Sequence, residues 1–265
     1  MYSHLTIAKK YIRYWLTASN KKGHGVHSPF VFNFITQLLN NKKQQPSFHS
    51  IESHRSILLK NKSFIEVEDF GAGSSIIKTN TRRIDKIAAS SLKPKKFSQL
   101  LYNVVSYYKP NTIIELGTSF GITTSYLATA NANAVVHTFE GATKIAEIAQ
   151  HNFHLQKIEN IQLHQGDFSQ TLPAFLKQNQ AIDFAFIDGN HKKKPTLDYF
   201  EKLLSSANEN SIFVFDDIHW SAEMERAWEE IKNHPSVTLS IDLFFIGFVF
   251  FKKDFKAIQH YCIQF

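Results

Sequence analysis

Six carboxylates in the second half of the chain each stand at, or just after, the end of an apolar run: Glu115, Glu140, Asp167, Asp188, Asp216 and Asp217. A carboxylate in such a place is fixed by a stiff element yet reaches a ligand beyond it. It can accept two hydrogen bonds from paired hydroxyls or balance a cation. Glu115 leads into Gly117, Thr118, Ser119 and Gly121, within TIIELGTSFG at residues 112–121. Glycines in a turn after a strand let a nucleotide-like ligand approach the backbone closely.

A second stretch, EVEDFGAGSS at residues 66–75, matches a bare Gly-x-Gly pattern better. Context favours residues 112–121. There a β-branched apolar run precedes the turn and a helical pattern follows it. The next strand then ends at Glu140, 25 positions after Glu115, where it can accept from a ribose. Such a turn would aim backbone N–H groups at the ligand. Residues 66–75 fail the same test. Glu66, Glu68 and Asp69 do not suit a strand buried on both faces, and the next acid, Asp85, lies in the helical pattern RRIDKIAA. That stretch is expected to be a polar, flexible loop.

The elements behind these residues follow a regular rhythm from Thr112 onward. Apolar runs NTIIELG, AVVHTFEG, NIQLHQGD, AIDFAFIDG and SIFVFDD alternate with helical patterns, and VTLSIDL and FIGFVFFK follow with a very short link. Strand–helix alternation implies a parallel sheet covered on both faces, and the short link requires an antiparallel pair. The expected fold is therefore α/β: a doubly wound, mostly parallel seven-stranded sheet with a C-terminal antiparallel hairpin and an N-terminal helical extension. In such sheets ligands bind beyond the carboxyl ends of the strands, where these acids fall.

Residues 1–110 hold 18 Lys and Arg against 5 Asp and Glu, whereas residues 111–265 hold 12 against 18. The first part lacks the rhythm and reads as helices at residues 2–18, 27–39, 82–91 and 97–108, with a polar loop at 40–63. A boundary is expected at residue 94, with a helical lid over 1–94 and the ligand-binding domain over 95–265. The chain is expected to be soluble and cytoplasmic. It has one cysteine, Cys262, its start lacks an apolar signal core, and its longest apolar run is nine residues at 243–251, against the roughly 20 that span a bilayer. The 24 Phe residues point to an aromatic core.

The series IIELGTSFG, HTFEG, QGD, FAFIDGNH and FVFDDIHW, closed by a terminal hairpin, resembles the class I S-adenosylmethionine-dependent methyltransferases over roughly residues 95–252. HGVHSPF and DFGAGSS resemble N-terminal extensions of a bacterial subgroup of them. The resemblance implies S-adenosylmethionine as cofactor. Glu115 would meet its methionine end, and Gly117, Thr118, Ser119 and Gly121 would let the backbone approach it. Glu140, with Gly141 after it, would bind the ribose. Asp167 would accept from the adenine amine, with Phe168 near the ring.

Catechol O-methyltransferase-like members hold a divalent metal on an aspartate after the fourth strand and a pair after the fifth. Here those positions are Asp188, Asp216 and Asp217, and three unneutralised carboxylates at adjacent strand ends would repel one another. The implied ion is Mg²⁺; without a metal, Asp188 would contact the cofactor amine. Those enzymes often carry a lysine base three residues after the first aspartate. His191 stands there instead, so His191 or Lys192 is the candidate base. The expected reaction is O-methylation of a small molecule by a chain that could pair as a homodimer. The alternatives are an RNA methyltransferase using the basic half and a non-catalytic cofactor-binding module. His219 and Trp220 are expected at the pocket mouth.

Overall fold

The computed structural model describes residues 1–69, 78–178 and 181–265. In chain order, α1 (His4–Thr17) and α2 (Pro29–Asn33) lead into a π-helical segment at Phe34–Leu39. α3 (Pro46–Lys60), β1 (Phe64–Asp69), β2 (Lys78–Arg83), α4 (Ile84–Ser91) and α5 (Lys95–Tyr108) follow. Then come β3 (Thr112–Leu116), α6 (Ile122–Ala130), β4 (Val135–Glu140), α7 (Thr143–Leu155), β5 (Ile161–Gln165) and α8 (Phe168–Leu176). The last part holds β6 (Ile182–Ile187), α9 (Lys193–Leu204), β7 (Ala207–Asp216), α10 (Ala222–Lys232), β8 (Leu239–Asp242), β9 (Ile246–Phe250) and β10 (Gln259–Cys262).

One eight-stranded sheet has the order β10-β8-β9-β7-β6-β3-β4-β5, and β1 and β2 form a separate antiparallel pair. Pairs β3–β4, β4–β5 and β6–β7 are parallel, whereas β7–β9 and β8–β9 are antiparallel. The seven expected strands and the C-terminal hairpin are thus present. An eighth strand, β10, pairs parallel with β8. Most residues of β3, β4, β6 and the second half of β7 are buried, as central strands covered on both faces require.

The chain divides into two compact units: residues 42–180, and residues 1–41 together with 181–265. In the unit of residues 42–180, Phe48 and Ile51 of α3, Val67 of β1 and Ile87 of α4 share one core with Phe120, Ile122, Ala142 and Ile145. Two stretches differ from expectation here. Residues 46–60 form a helix, which buries only Phe48, Ile51 and Leu58 and so shows little periodic contrast. Residues 66–69 lie in β1, paired in register with β2 from Phe64↔Arg83 to Asp69↔Lys78. A two-stranded pair leaves one face in water, so its acids are tolerated there. The glycine part of EVEDFGAGSS, residues 70–75, lies outside the described residues.

In the other unit, the N-terminal segment packs aromatic rings against β9. Phe30 and Phe34 meet Phe250 edge-on at 5.1 and 6.0 Å, and Phe34 also meets Phe248. The chain end joins this segment, with Ser19 bridging to Ile263 in parallel.

Candidate active site

The candidate residues fall into two sets, one in each unit. In the unit of residues 42–180, β3 carries Glu115 to full burial. Its Oε2 accepts from the hydroxyls of Thr124 and, at 2.7 Å, Thr138. Thr138 spends its proton on Glu115, so Thr118 donates to it across 2.6 Å. Oε1 of Glu115 is buried without a hydrogen-bond partner. Burial pushes this carboxyl up to about 7, against the two threonine hydroxyls.

Glu140, at the end of β4, is held by both neighbouring loops. Its Oε2 accepts from the Ser119 N–H at 2.8 Å and its Oε1 from the Ala142 N–H at 3.0 Å. Burial raises its pKa while these N–H groups, with that of Gly141, lower it. A carboxylate has about four acceptor positions, so about one remains beside these three N–H groups.

The turn itself departs from expectation. The N–H groups of Gly117 and Thr118 both donate to the Phe139 carbonyl, at 3.0 and 3.1 Å, and that of Gly121 donates to Thr118. With Ser119 bound to Glu140, four N–H groups of the turn are spent inside the protein rather than aimed at a ligand. Gly121 has another task. Its φ is +80°, and a Cβ there would sit 2.3 Å from the Phe153 ring of α7. The glycine lets helix and turn pack. Asp167 caps α8, its Oδ1 accepting from the Ser169 N–H at 2.8 Å, and Phe168 opens that helix half-buried.

Several residues here escaped the sequence. Thr118, Thr124 and Thr138 complete the Glu115 network, but threonine is too common in strands and helices to signal it. Glu68, in the rejected glycine stretch, accepts from the Thr143 N–H at 2.7 Å and so caps α7 just beyond the Glu140 loop.

In the other unit, Asp188, His191 and Asp216 each offer one ligand atom, all within 4.8 Å of one another. Asp216 is 2% exposed, and His191 and Asp188 are half-buried. His191 Nε2 lies 3.6 Å from Asp188 Oδ1, and Nδ1 lies 3.8 Å from Asp217 Oδ2. The backbone takes positive φ at Asn190 (65°), His191 (35°) and Asp217 (53°), a region that non-glycine residues seldom occupy. Asp217 stands beside the imidazole, outside the three-residue group. Lys192 is exposed at the N-cap of α9.

His219 has a different setting from the one expected. Its Nδ1 lies 3.0 Å from Glu225 and its Nε2 2.8 Å from Asp242, and its ring stacks on Phe244. Glu225 also accepts from Tyr2 and Lys10. Burial alone would lower the His219 pKa; the bonds and charges of Asp242 and Glu225 outweigh it and leave it raised.

Residues 114–218 match the family model described as a methyltransferase domain. Both the Glu115–Glu140 set and the Asp188–His191–Asp216 set lie within the matched residues. No curated protein sequence matches the chain. Among solved structures, the fold resembles that of an O-methyltransferase from Bacillus cereus in complex with SAH, at 17% identity and TM-score 0.57, over 80% of this chain and 93% of that one. It also resembles the O-methyltransferase TomG from Streptomyces achromogenes, in complex with SAM, at 17% and 0.56, over 84% and 95%. The SAH-bound Podospora anserina methyltransferase PaMTH1 aligns over 96% and 98%, at 12% and 0.58. At these identities the likeness is one of fold. Among the described residues, no helix is long and apolar enough to cross a membrane.

Proposed function

We propose that the chain is an S-adenosylmethionine-dependent O-methyltransferase for a small-molecule acceptor, assisted by a divalent cation. Glu115 carries the reading. It is a fully buried carboxylate with one oxygen saturated and the other without a partner, on the strand beside that of Glu140 and within the residues that match a methyltransferase domain. A buried polar atom left unpaired costs stability until a donor completes it, and the ammonium end of an amino-acid-bearing cofactor is such a donor. Glu140 keeps an acceptor position for a ribose hydroxyl. The internally spent N–H groups of residues 117–121 take away four means of cradling a pyrophosphate, which favours a cofactor without phosphates over a dinucleotide.

When bound, S-adenosylmethionine supplies a methyl group made electrophilic by its positive sulfur. The chain's own residues then hold the acceptor oxygen in line, exclude water and take one proton. Asp188, Asp216 and His191 suit a cation by their donor chemistry, and a cation there would lower the pKa of an acceptor hydroxyl. The imidazole in that set favours a first-row transition ion over Mg²⁺, which prefers oxygen donors. A ligating imidazole is not free to act as base, so proton removal falls to Lys192 Nζ in the cation-loaded protein and to His191 in the cation-free one.

Calorimetric titration of S-adenosylmethionine, with and without Mn²⁺ or Mg²⁺, tests the reading. Absence of binding in every condition overturns it. Cofactor binding accompanied by O-methylation of phenolic acceptors that resists a chelator removes the cation alone. His191→Ala should weaken Mn²⁺ binding by roughly tenfold or more, with a smaller effect on Mg²⁺.

A further inference from the structure

Helix α1 is held to its own unit by one face only. Tyr14 is buried and its hydroxyl donates to the Ile263 carbonyl; Tyr11 packs edge-on against Phe244 at 5.1 Å; Lys10 pairs with Glu225 at 2.9 Å. The opposite face is apolar and open to water. Leu5 is 66% exposed, Ile12 59% and Leu16 78%. Their spacing of seven and four residues sets them in one stripe along the helix. Met1 extends the stripe at its start and Trp15 borders it, both exposed, while the exposed Lys9 and Arg13 line its other flank.

A stripe of large aliphatic side chains bordered by a tryptophan on one side and cations on the other needs a cover with matching chemistry. Charge narrows the choice. Residues 1–41 contain five Lys and Arg and no Asp or Glu. A second copy seated on the stripe by two-fold symmetry would bring the same cationic segment against itself and offer no acid from it. An anionic bilayer surface supplies both complements: an acyl boundary for Leu5, Ile12 and Leu16, a headgroup level for Trp15, and phosphates for Lys9, Arg13 and the following Lys21 and Lys22.

We propose that the outer face of α1 docks the protein on an anionic lipid surface. The helix lies in the plane of the interface, its inner face still fastened through Tyr14 and Lys10. This role is independent of the methyl-transfer reading, since it uses none of the residues assigned there.

The full chain should co-sediment with vesicles of phosphatidylcholine and phosphatidylglycerol, but weakly with phosphatidylcholine alone, and salt should reduce binding. Combined replacement Leu5→Gln, Ile12→Gln and Leu16→Gln should weaken binding roughly tenfold or more, and Lys9→Glu with Arg13→Glu should abolish the preference for the anionic lipid. These positions are exposed, so thermal melting should be unchanged; Leu16→Gln alone serves as a milder variant if the triple one melts early. Failure to bind anionic vesicles overturns the proposal, and so does equal binding by the folded aliphatic variants. A dimer in light scattering that the same substitutions dissolve assigns the stripe to a second copy and overturns it too.

Discussion

Glu115 combines a raised pKa with an unpaired oxygen, and both follow from burial in a strand end that only threonine hydroxyls satisfy. A carboxyl whose folded pKa lies above its unfolded value near 4.5 favours the folded state while protonated. As pH climbs from about 4.5 through about 7, ionising it costs stability. Glutamine cannot ionise. The melting temperature of Glu115→Gln relative to the parent should therefore rise across that window and level off above it, as thermal melts at a series of pH values would show. A difference flat with pH would mean that the carboxyl carries no such burden. The carboxylates themselves were legible from sequence because each ends an apolar run. Their partners were not: a threonine such as Thr138 is equally at home in a strand with or without a charge to satisfy, and nothing local distinguishes the two.

At the scale of elements, the turn after β3 is defined by close packing as much as by ligand chemistry. Gly121→Ala meets two obstacles at once, a φ of +80° and a Cβ 2.3 Å from Phe153. Denaturant unfolding should show a loss of about 3 kcal/mol, and Phe153→Ala in the same chain should recover part of it. Glu68→Ala removes the acceptor that caps α7 and should cost about 1 kcal/mol in the same measurement. It should also weaken cofactor affinity through the loop that holds Glu140. The alternating strands from Thr112 onward were legible because burial on both faces writes continuous apolar runs. β1 and β2 were not, since FIEVED and KTNTRR answer to a half-wet pair in which Val67 is the one buried residue among those described. The criterion that rejected them applies to central strands. α3 hid for a related reason: three buried residues in fifteen make too thin a stripe.

Across the whole molecule, distant parts of the sequence meet in an ionic cluster. Tyr2 and Lys10 from the start of the chain, Glu225 of α10, His219 and Asp242 of β8 form one connected group, with the Trp228 indole also donating to Asp242. A histidine raised above its ordinary value near 6.5 contributes stability that is full below about 6.5 and is lost as pH rises through its folded pKa. Glu225, whose pKa is lowered by Lys10, Tyr2 and His219 against the effect of burial, contributes above the ordinary carboxylate range and is lost as pH falls. The melting-temperature gap between the parent and His219→Gln should accordingly be widest between about pH 4.5 and 6.5 and narrow above it. A gap that widened toward alkaline pH would contradict the charged state of the imidazole. No spacing rule announces such a group, because its members are drawn from four separate segments.

The bridge between Ser19 and Ile263 also sets a clock. During synthesis the first 41 residues emerge long before the strand that Ser19 pairs with. At ordinary elongation rates, the interval to residue 263 lasts roughly 10–40 s. Residues 42–180 are continuous in sequence and complete in that time, so they can fold first. Meanwhile Phe30, Phe34 and the inner face of α1 with Tyr11 and Tyr14 wait uncovered, and a nearby surface or chaperone has that long to meet them.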